Sequence, residues 1–326
     1  MSIPRRLTLI VLLGLAAPVA AGAQDYPTRP VTLVVPFPTG GSTTLVARIV
    51  ADRMSPTLGQ SIVVENRGGA GGTVGARSVA RSAPDGYTIL LGYTGTLAIG
   101  PTMYPNAGFD PRRDFAPIGR IGLAPAALVV HPSLPVHSVG ELITYAKAHP
   151  GELNYGSAGI GTVGHLAGAY LASTAGLNLV HVPYRGTGPA LTDLLGGHIP
   201  MMFSPIPSVI GHVGNGALRA LAVTSAERSR LLPDLPTVAE AALPGYEAAL
   251  RYGLVAPTAT PPAIITRLNA ELNAALAIDE VRQRIVNAGA EPVGGTPEDY
   301  AGIIDREETM WASLIKSIGL RVESDK

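Results

Sequence analysis

The sequence predicts an α/β fold of two domains, each built on a sheet flanked by helices. Three observations carry this. Short β-branched apolar runs recur, and each ends in a loop rich in Gly and hydroxyls. Each loop then opens a stretch of helical period. Such units stand in both halves of a chain of 326 residues, a length that favours two domains.

The clearest unit runs from Val31 to Ala51. Val31, Leu33, Val34 and Val35 suit a buried parallel strand, and Pro36 and Pro38 end it because proline has no N–H for the ladder. Gly40 and Gly41 allow close backbone approach. Ser42, Thr43 or Thr44 can cap the following helix, whose apolar face is Leu45, Val46, Ile49, Val50 and Met54. Free backbone N–H groups at a helix start, beside three hydroxyls, are a place to hold an anion. A tight turn without a ligand fits the same residues.

Composition narrows the function classes. Charged residues are 15% and mean hydropathy is +0.27, so the chain can build a large core. Aromatics at 5% argue against a base-stacking surface, and the absence of Cys removes disulfides, thiolate metal sites and a Cys nucleophile. Residues 1–23 read as a removable signal peptide. Arg5 and Arg6 form its basic start, Leu7 to Ala17 its short apolar run, and Ala21-Gly22-Ala23 its cleavage site. Its removal leaves 22 basic against 24 acidic residues, a balance that does not attract nucleic acid.

Further elements follow in order. Ile62 to Glu65 reads as a strand running into Asn66-Arg67-Gly68-Gly69-Ala70-Gly71-Gly72, with a helix through Ala76 and Val79. Tyr87 to Leu91 is a third strand, ending at Gly92-Tyr93-Thr94-Gly95. Phe115 to Val130 lacks helical period and reads as extended chain crossing between domains. Ser138 and Glu141 form a capping box. Leu153 to Ala158 begins a second strand–loop–helix unit, with Val163, Leu166, Ala167, Tyr170 and Leu171 on one helical face. Leu179 to Pro183, Ile199 to Phe203, Leu218 to Thr224 and Tyr252 to Ala256 are further strands. Thr260-Pro261-Pro262 and Thr296-Pro297-Glu298-Asp299 open the last long helices, and Trp311 lies in the core stripe of the final one.

Most catalytic readings lack parts. Gly159-Ile160-Gly161-Thr162-Val163-Gly164 matches the dinucleotide pattern, but residues 178–190 hold no acid for a ribose, so no cofactor is expected. The seven His show no H-x-x-x-H spacing, and no paired carboxylates flank a Gly-rich loop, so neither a metal nor general acid–base chemistry is expected. A hydrolase would have to use Ser157 or Thr162, with no base in the local motifs. Arg185 is the one cation in a ligand-type loop, suited either to a carboxylate or to a surface ion pair.

Several motifs in order carry a resemblance. They are Pro36-Phe37-Pro38-Thr39-Gly40-Gly41, Val64-Glu65-Asn66-Arg67-Gly68-Gly69, Asn154-Tyr155-Gly156-Ser157, Val182-Pro183-Tyr184-Arg185-Gly186, Leu218-Arg219-Ala220-Leu221-Ala222-Val223-Thr224 and Leu235-Pro236-Thr237-Val238-Ala239-Glu240. Over nearly all of the chain after the leader they resemble the Bug-type periplasmic solute receptors of tripartite tricarboxylate transporters. The resemblance implies a two-lobed periplasmic-binding-protein (Venus-flytrap) fold, each lobe a doubly wound sheet flanked by helices. The expected division is 24–124 plus 249–326 for one lobe and 125–248 for the other. A carboxylate would lie between the lobes, held mainly by backbone N–H groups, hydroxyls and waters, and the partners would be membrane transporter subunits.

The residues expected around it are Phe37, Thr39, Gly40, Gly41, Ser42, Thr43, Thr44, Tyr93 and Thr94 from one lobe. From the other they are Ser157, Gly159, Gly161, Thr162, Tyr184, Arg185 and Ser204. The family usually has Asp where Thr44 stands, an acid suited to a ligand ammonium. Its absence points to a carboxylate without an amino group, dicarboxylic or aromatic. A module that senses such a ligand for a signalling partner is the other non-catalytic reading.

Overall fold

The computed structural model describes residues 26–39, 42–104 and 106–320. The leader expected over 1–23 lies outside them, as do Gly40 and Gly41. The first lobe contains β1 (Val31–Val35), α1 (Ser42–Leu58), β2 (Ile62–Asn66), α2 (Thr73–Ala80) and β3 (Thr88–Tyr93). A π-helical turn over Gly95–Ile99 then runs into α3 (Gly100–Met103), followed by β4 (Phe115–Ala124). The second lobe adds β5 (Ala126–Val130), α4 (Val139–Ala148), β6 (Asn154–Ser157), α5 (Val163–Ala175) and β7 (Val180–Pro183). It continues with α6 (Thr187–Leu195), β8 (Met201–Pro205), α7 (Ile206–Gly214), β9 (Arg219–Val223) and α8 (Val238–Ala241). The chain returns through β10 (Leu250–Pro257), α9 (Pro262–Leu276), α10 (Asp279–Asn287), β11 (Glu291–Pro292) and α11 (Pro297–Ser317).

Two mixed sheets result, in the orders β11-β4-β10-β3-β1-β2 and β7-β6-β8-β5-β9. In the first, β1 pairs in parallel with β2 and β3, in register Val31 to Ile62 and Thr32 to Thr88. The returning strand β10 inserts antiparallel between β3 and β4. In the second, β6 is parallel to β7 and β8, while β5 is antiparallel to β8 and β9. Parallel neighbours need helical crossovers, and the central strands β1, β3, β5 and β8 are accordingly buried along most of their length, while the edge strands β2 and β7 keep exposed positions.

The stretch Phe115 to Val130 does cross between lobes, but as two strands. Pro125 cannot donate to a ladder, and the chain changes sheets there. The return crossing runs through Ala249 and Leu250. Buried charge ties these crossings to α11. Arg251 on β10 binds Glu307 of α11 and also Glu247. Thr94 Oγ1 donates to Glu307 Oε2 at 2.9 Å and accepts the Arg251 N–H at 2.9 Å.

The final helix serves both lobes. Tyr300, Ile303 and Ile304 pack on the first sheet with Val79 and Leu90. Two turns later Trp311, Leu314 and Ile315 enter the core of the second lobe with Leu166 and Tyr246. Trp311 is fully buried, as its place in the apolar stripe predicts. Thr296 and Asp299 close a reciprocal capping box at its start.

Close packing under α5 gives a direct test of the fold. A Cβ on Gly168 would lie 2.2 Å from the ring of Tyr155 on β6. Gly168→Ala is expected to cost about 1–3 kcal/mol in urea unfolding, because the ring has to move within a filled core.

Candidate functional site

Between the lobes lies a cavity of about 390 Å³. Its back is the pair of crossings, Ala124 to Ala126 and Leu250. On either side a glycine lets one lobe touch the other. A Cβ on Gly161 would come within 2.7 Å of Met103 Sδ, and one on Gly289 within 2.8 Å of the Pro207 ring.

Four helices begin at the cavity wall. Ser42 is the first residue of α1. Thr162 caps α5, and Val163 and Gly164 are its first two residues. Thr187 starts α6. Pro205 precedes α7, with Pro207 and Ser208 in its first turn. The first turn of a helix leaves backbone N–H groups without intrahelical partners, and its dipole presents positive charge there. Four such ends around one cavity form a donor-rich site for an anion. None of the residues described at its wall is charged, so a bound anion meets no opposing carboxylate.

The opposite character comes from aromatic and apolar side chains. Tyr93 and Tyr252 line the first-lobe wall, their rings 5.6 Å apart, and Phe37 backs Tyr93 at 5.1 Å. Burial pushes both phenols above their usual pKa range, so they stay neutral and offer O–H groups. Ser42 Oγ lies 3.5 Å from Tyr252 Oη. Met202 and Phe203 supply apolar surface from β8.

Of the residues expected at the site, Ser42, Tyr93 and Thr162 line the cavity. Gly40 and Gly41 lie outside the described residues, and most of the others are placed differently. Thr44 is on the buried face of α1 and accepts from Asn66 Nδ2 at 2.8 Å, so its side chain does not form the wall. Thr94 belongs to the buried Glu307 network. Ser204 is fully buried on β8, and Tyr184 turns away to donate to Asp193 at 2.7 Å. Thr39 and Arg185 are exposed, Thr43 is half-buried, and none of the three lines the cavity. Gly159 and Gly161 belong to the loop that leads to Thr162. Sequence reasoning missed Thr187, Ser208, Tyr252 and Gly289 as wall residues. The α7 start was the least visible, because Pro205 offers no capping side chain.

Ser157 has a partner that sequence spacing does not show. Its Oγ lies 2.7 Å from His181 Nε2, across from β6 to β7. A hydroxyl beside an imidazole is the start of a nucleophile–base pair. Here, however, Ser157 has no exposed surface, does not line the cavity, and is also bonded to Gly159.

Residues 46–320 match the family described as tripartite tricarboxylate transporter family receptor. The chain belongs to this receptor family. Protein BugT of Bordetella pertussis is 38% identical over 315 residues, covering 96% of each chain. Among solved structures, the receptor resembles R. palustris Rpa4515 with adipate, at 40% identity and TM-score 0.76, covering 91% of this chain and all of that one. It also resembles MatC from Rhodopseudomonas palustris with bound malate, at 34% identity and TM-score 0.71, covering 89% of this chain and all of the other. These likenesses establish the two-lobed fold of a solute-binding receptor.

Proposed function

We propose that this receptor captures a small carboxylate without an amino group, in the cavity between its lobes, for uptake by a transporter in the membrane. The convergence of four helix starts on one uncharged cavity carries the reading. A carboxylate there gains charge-assisted hydrogen bonds worth about 1.5–3 kcal/mol each. A free ammonium would be desolvated among donors, at a cost of several kcal/mol. The Tyr93, Tyr252, Met202 and Phe203 surface favours a ligand whose body is apolar, an alkyl chain or an aryl ring. The adipate and malate carried by the two related structures fit the charge of such a ligand. The leader expected over residues 1–23 supports a periplasmic location, and among the described residues no helix is long and apolar enough to cross a membrane.

Calorimetry on refolded protein, stripped of carried ligand, tests the reading. Adipate, malate and aromatic acids form the panel, with glutamate and aspartate as the amine-bearing controls. Binding of at least one amine-free acid, with glutamate and aspartate silent, is the expected result. Tight glutamate binding without response to the matching amine-free acids would overturn it.

A further inference from the structure

The loop that leads to Thr162 stands on two histidines that do not line the cavity. His165 on α5 and His181 on β7 are stacked, their ring centroids 3.8 Å apart and their planes at 19°. His165 Nδ1 accepts the Gly161 N–H at 3.1 Å. His181 Nε2 meets Ser157 Oγ at 2.7 Å, and that oxygen accepts the Gly159 N–H at 3.1 Å. Both glycines have positive φ, 135° and 76°, so their backbone turn is one that other residues adopt with strain. Two N–H groups of the loop are thus pinned from below, one by imidazole directly and one through a serine. The loop ends at the cap of α5, where Val163 and Gly164 face the cavity.

We propose that His165 and His181 are positioning residues for anion capture: as a neutral stacked pair they fix the 157–162 loop and aim the start of α5 at the ligand carboxylate. The proposal rests on the receptor reading above and names the part of the fold that tunes it. The acceptor role of His165 Nδ1 places its proton on Nε2. A second proton on Nδ1 would confront the Gly161 N–H with another N–H, and two charged rings in contact would repel. The groups facing the pair are the rings themselves and Tyr155 from β6. The Tyr155 ring lies 5.0 Å from His181, and its Oη donates to the His165 carbonyl at 3.1 Å. No carboxylate is among the groups that shift either ring.

Burial lowers both imidazoles from 6.5 to about 4, with His181 adding to the shift of His165. Between those values the unfolded chain binds more protons than the folded one. The stability contributed by the neutral pair is therefore complete above 6.5 and is lost as pH falls toward 4.

Amide exchange followed by NMR on the ligand-free full chain tests the proposal. His165→Leu should speed Gly161 exchange about tenfold, the loss expected for one hydrogen bond, and leave β5 and β9 amides as protected as before. His165→Asn, whose Oδ1 can replace Nδ1 as acceptor, should restore most of the protection. In the wild type, the Gly161 amide shift should move in step with the His165 and His181 ring resonances followed in the same titration, and a Gly161 shift that does not follow those resonances would overturn the proposal. Adipate affinity, measured on the same proteins, should fall with loop protection in His165→Leu and recover in His165→Asn. Unchanged Gly161 exchange in His165→Leu, equal exchange in the Leu and Asn variants, or unchanged affinity with a loosened loop would each overturn the proposal. If His165→Leu does not fold, His165→Asn and the wild-type titration decide it. A wild type that binds no acid of the panel counts against the receptor reading, and the exchange measurements still decide whether the pair holds the loop.

Discussion

Thr162→Asp should leave the receptor folded and remove its ligand binding. Aspartate is at least as good an N-cap as threonine, and its charge interacts favourably with the dipole of α5. The hydroxyl bond from Thr162 to the Gly159 carbonyl, 2.7 Å long, is lost, but Ser157 still donates to that carbonyl at 3.0 Å. The ligand-free protein is therefore expected to melt close to the wild-type temperature. The new carboxylate stands at the cavity wall, where the proposed ligand anion binds. Two such charges about 5 Å apart at an effective dielectric near 20 repel by roughly 3 kcal/mol, about two orders of magnitude in affinity. Thermal melting of the ligand-free variant, with calorimetry against the acids that bind the wild type, checks both signs. Wild-type affinity in a folded Thr162→Asp would place the carboxylate away from α5.

The largest stability loss is expected from Arg251→Met. Glu307 is only 7% exposed, and Arg251 supplies its one opposite charge among the contacts described. Removing that charge leaves a buried carboxylate with Thr94 alone, a change worth about 3–5 kcal/mol. Burial already raises the Glu307 pKa, against the lowering effects of Arg251 and Thr94. A carboxyl raised in the folded state binds a proton more readily there than when unfolded. Its contribution to stability therefore declines as pH rises from the ordinary value of 4.5 toward the folded pKa. Without Arg251 that window extends upward, so the variant should recover part of its stability in mild acid as Glu307 becomes neutral. Urea unfolding at neutral pH and in mild acid reads this out. Combining Arg251→Met with Glu307→Leu should recover much of the loss, since an apolar pair of similar volume avoids the desolvation. A full-sized loss that ignores both acid and the second substitution would show that packing, not charge, is at stake.

The architecture was legible because its signals are local. Val31 to Val35 is a strand wherever it is read, and Thr296 with Asp299 marks a helix start without reference to the rest of the chain. The Trp311 stripe likewise announces burial. The short α10 and two-residue β11 carried weaker periodic signals and became visible only against their neighbours. The site was less legible, because a hydroxyl in a Gly-rich loop does not declare which way it points. Thr44, Thr94, Ser157 and Ser204 all turn inward and satisfy partners such as Asn66, Glu307 and His181. Their partners lie 22, 213 and 24 residues away for the first three, beyond any motif window. The wall is instead made where four helices start, and that convergence is a property of the packed sheets.

The last helix also limits how this receptor could acquire a new ligand. Trp311, Leu314 and Ile315 complete the core of the second lobe, although they follow it by more than sixty residues and belong to a helix rooted in the first. Exchanging β5 through β9 for the corresponding stretch of a relative would transplant most of the cavity wall but leave a foreign ridge of α11 against it. Misfit there is a matter of whole side chains, and filled cores tolerate such changes poorly. The heritable unit of specificity is thus a discontinuous one, a lobe together with the far half of a distant helix. Recombination that cuts the chain twice should yield folded hybrids less often than recombination that also carries α11 along.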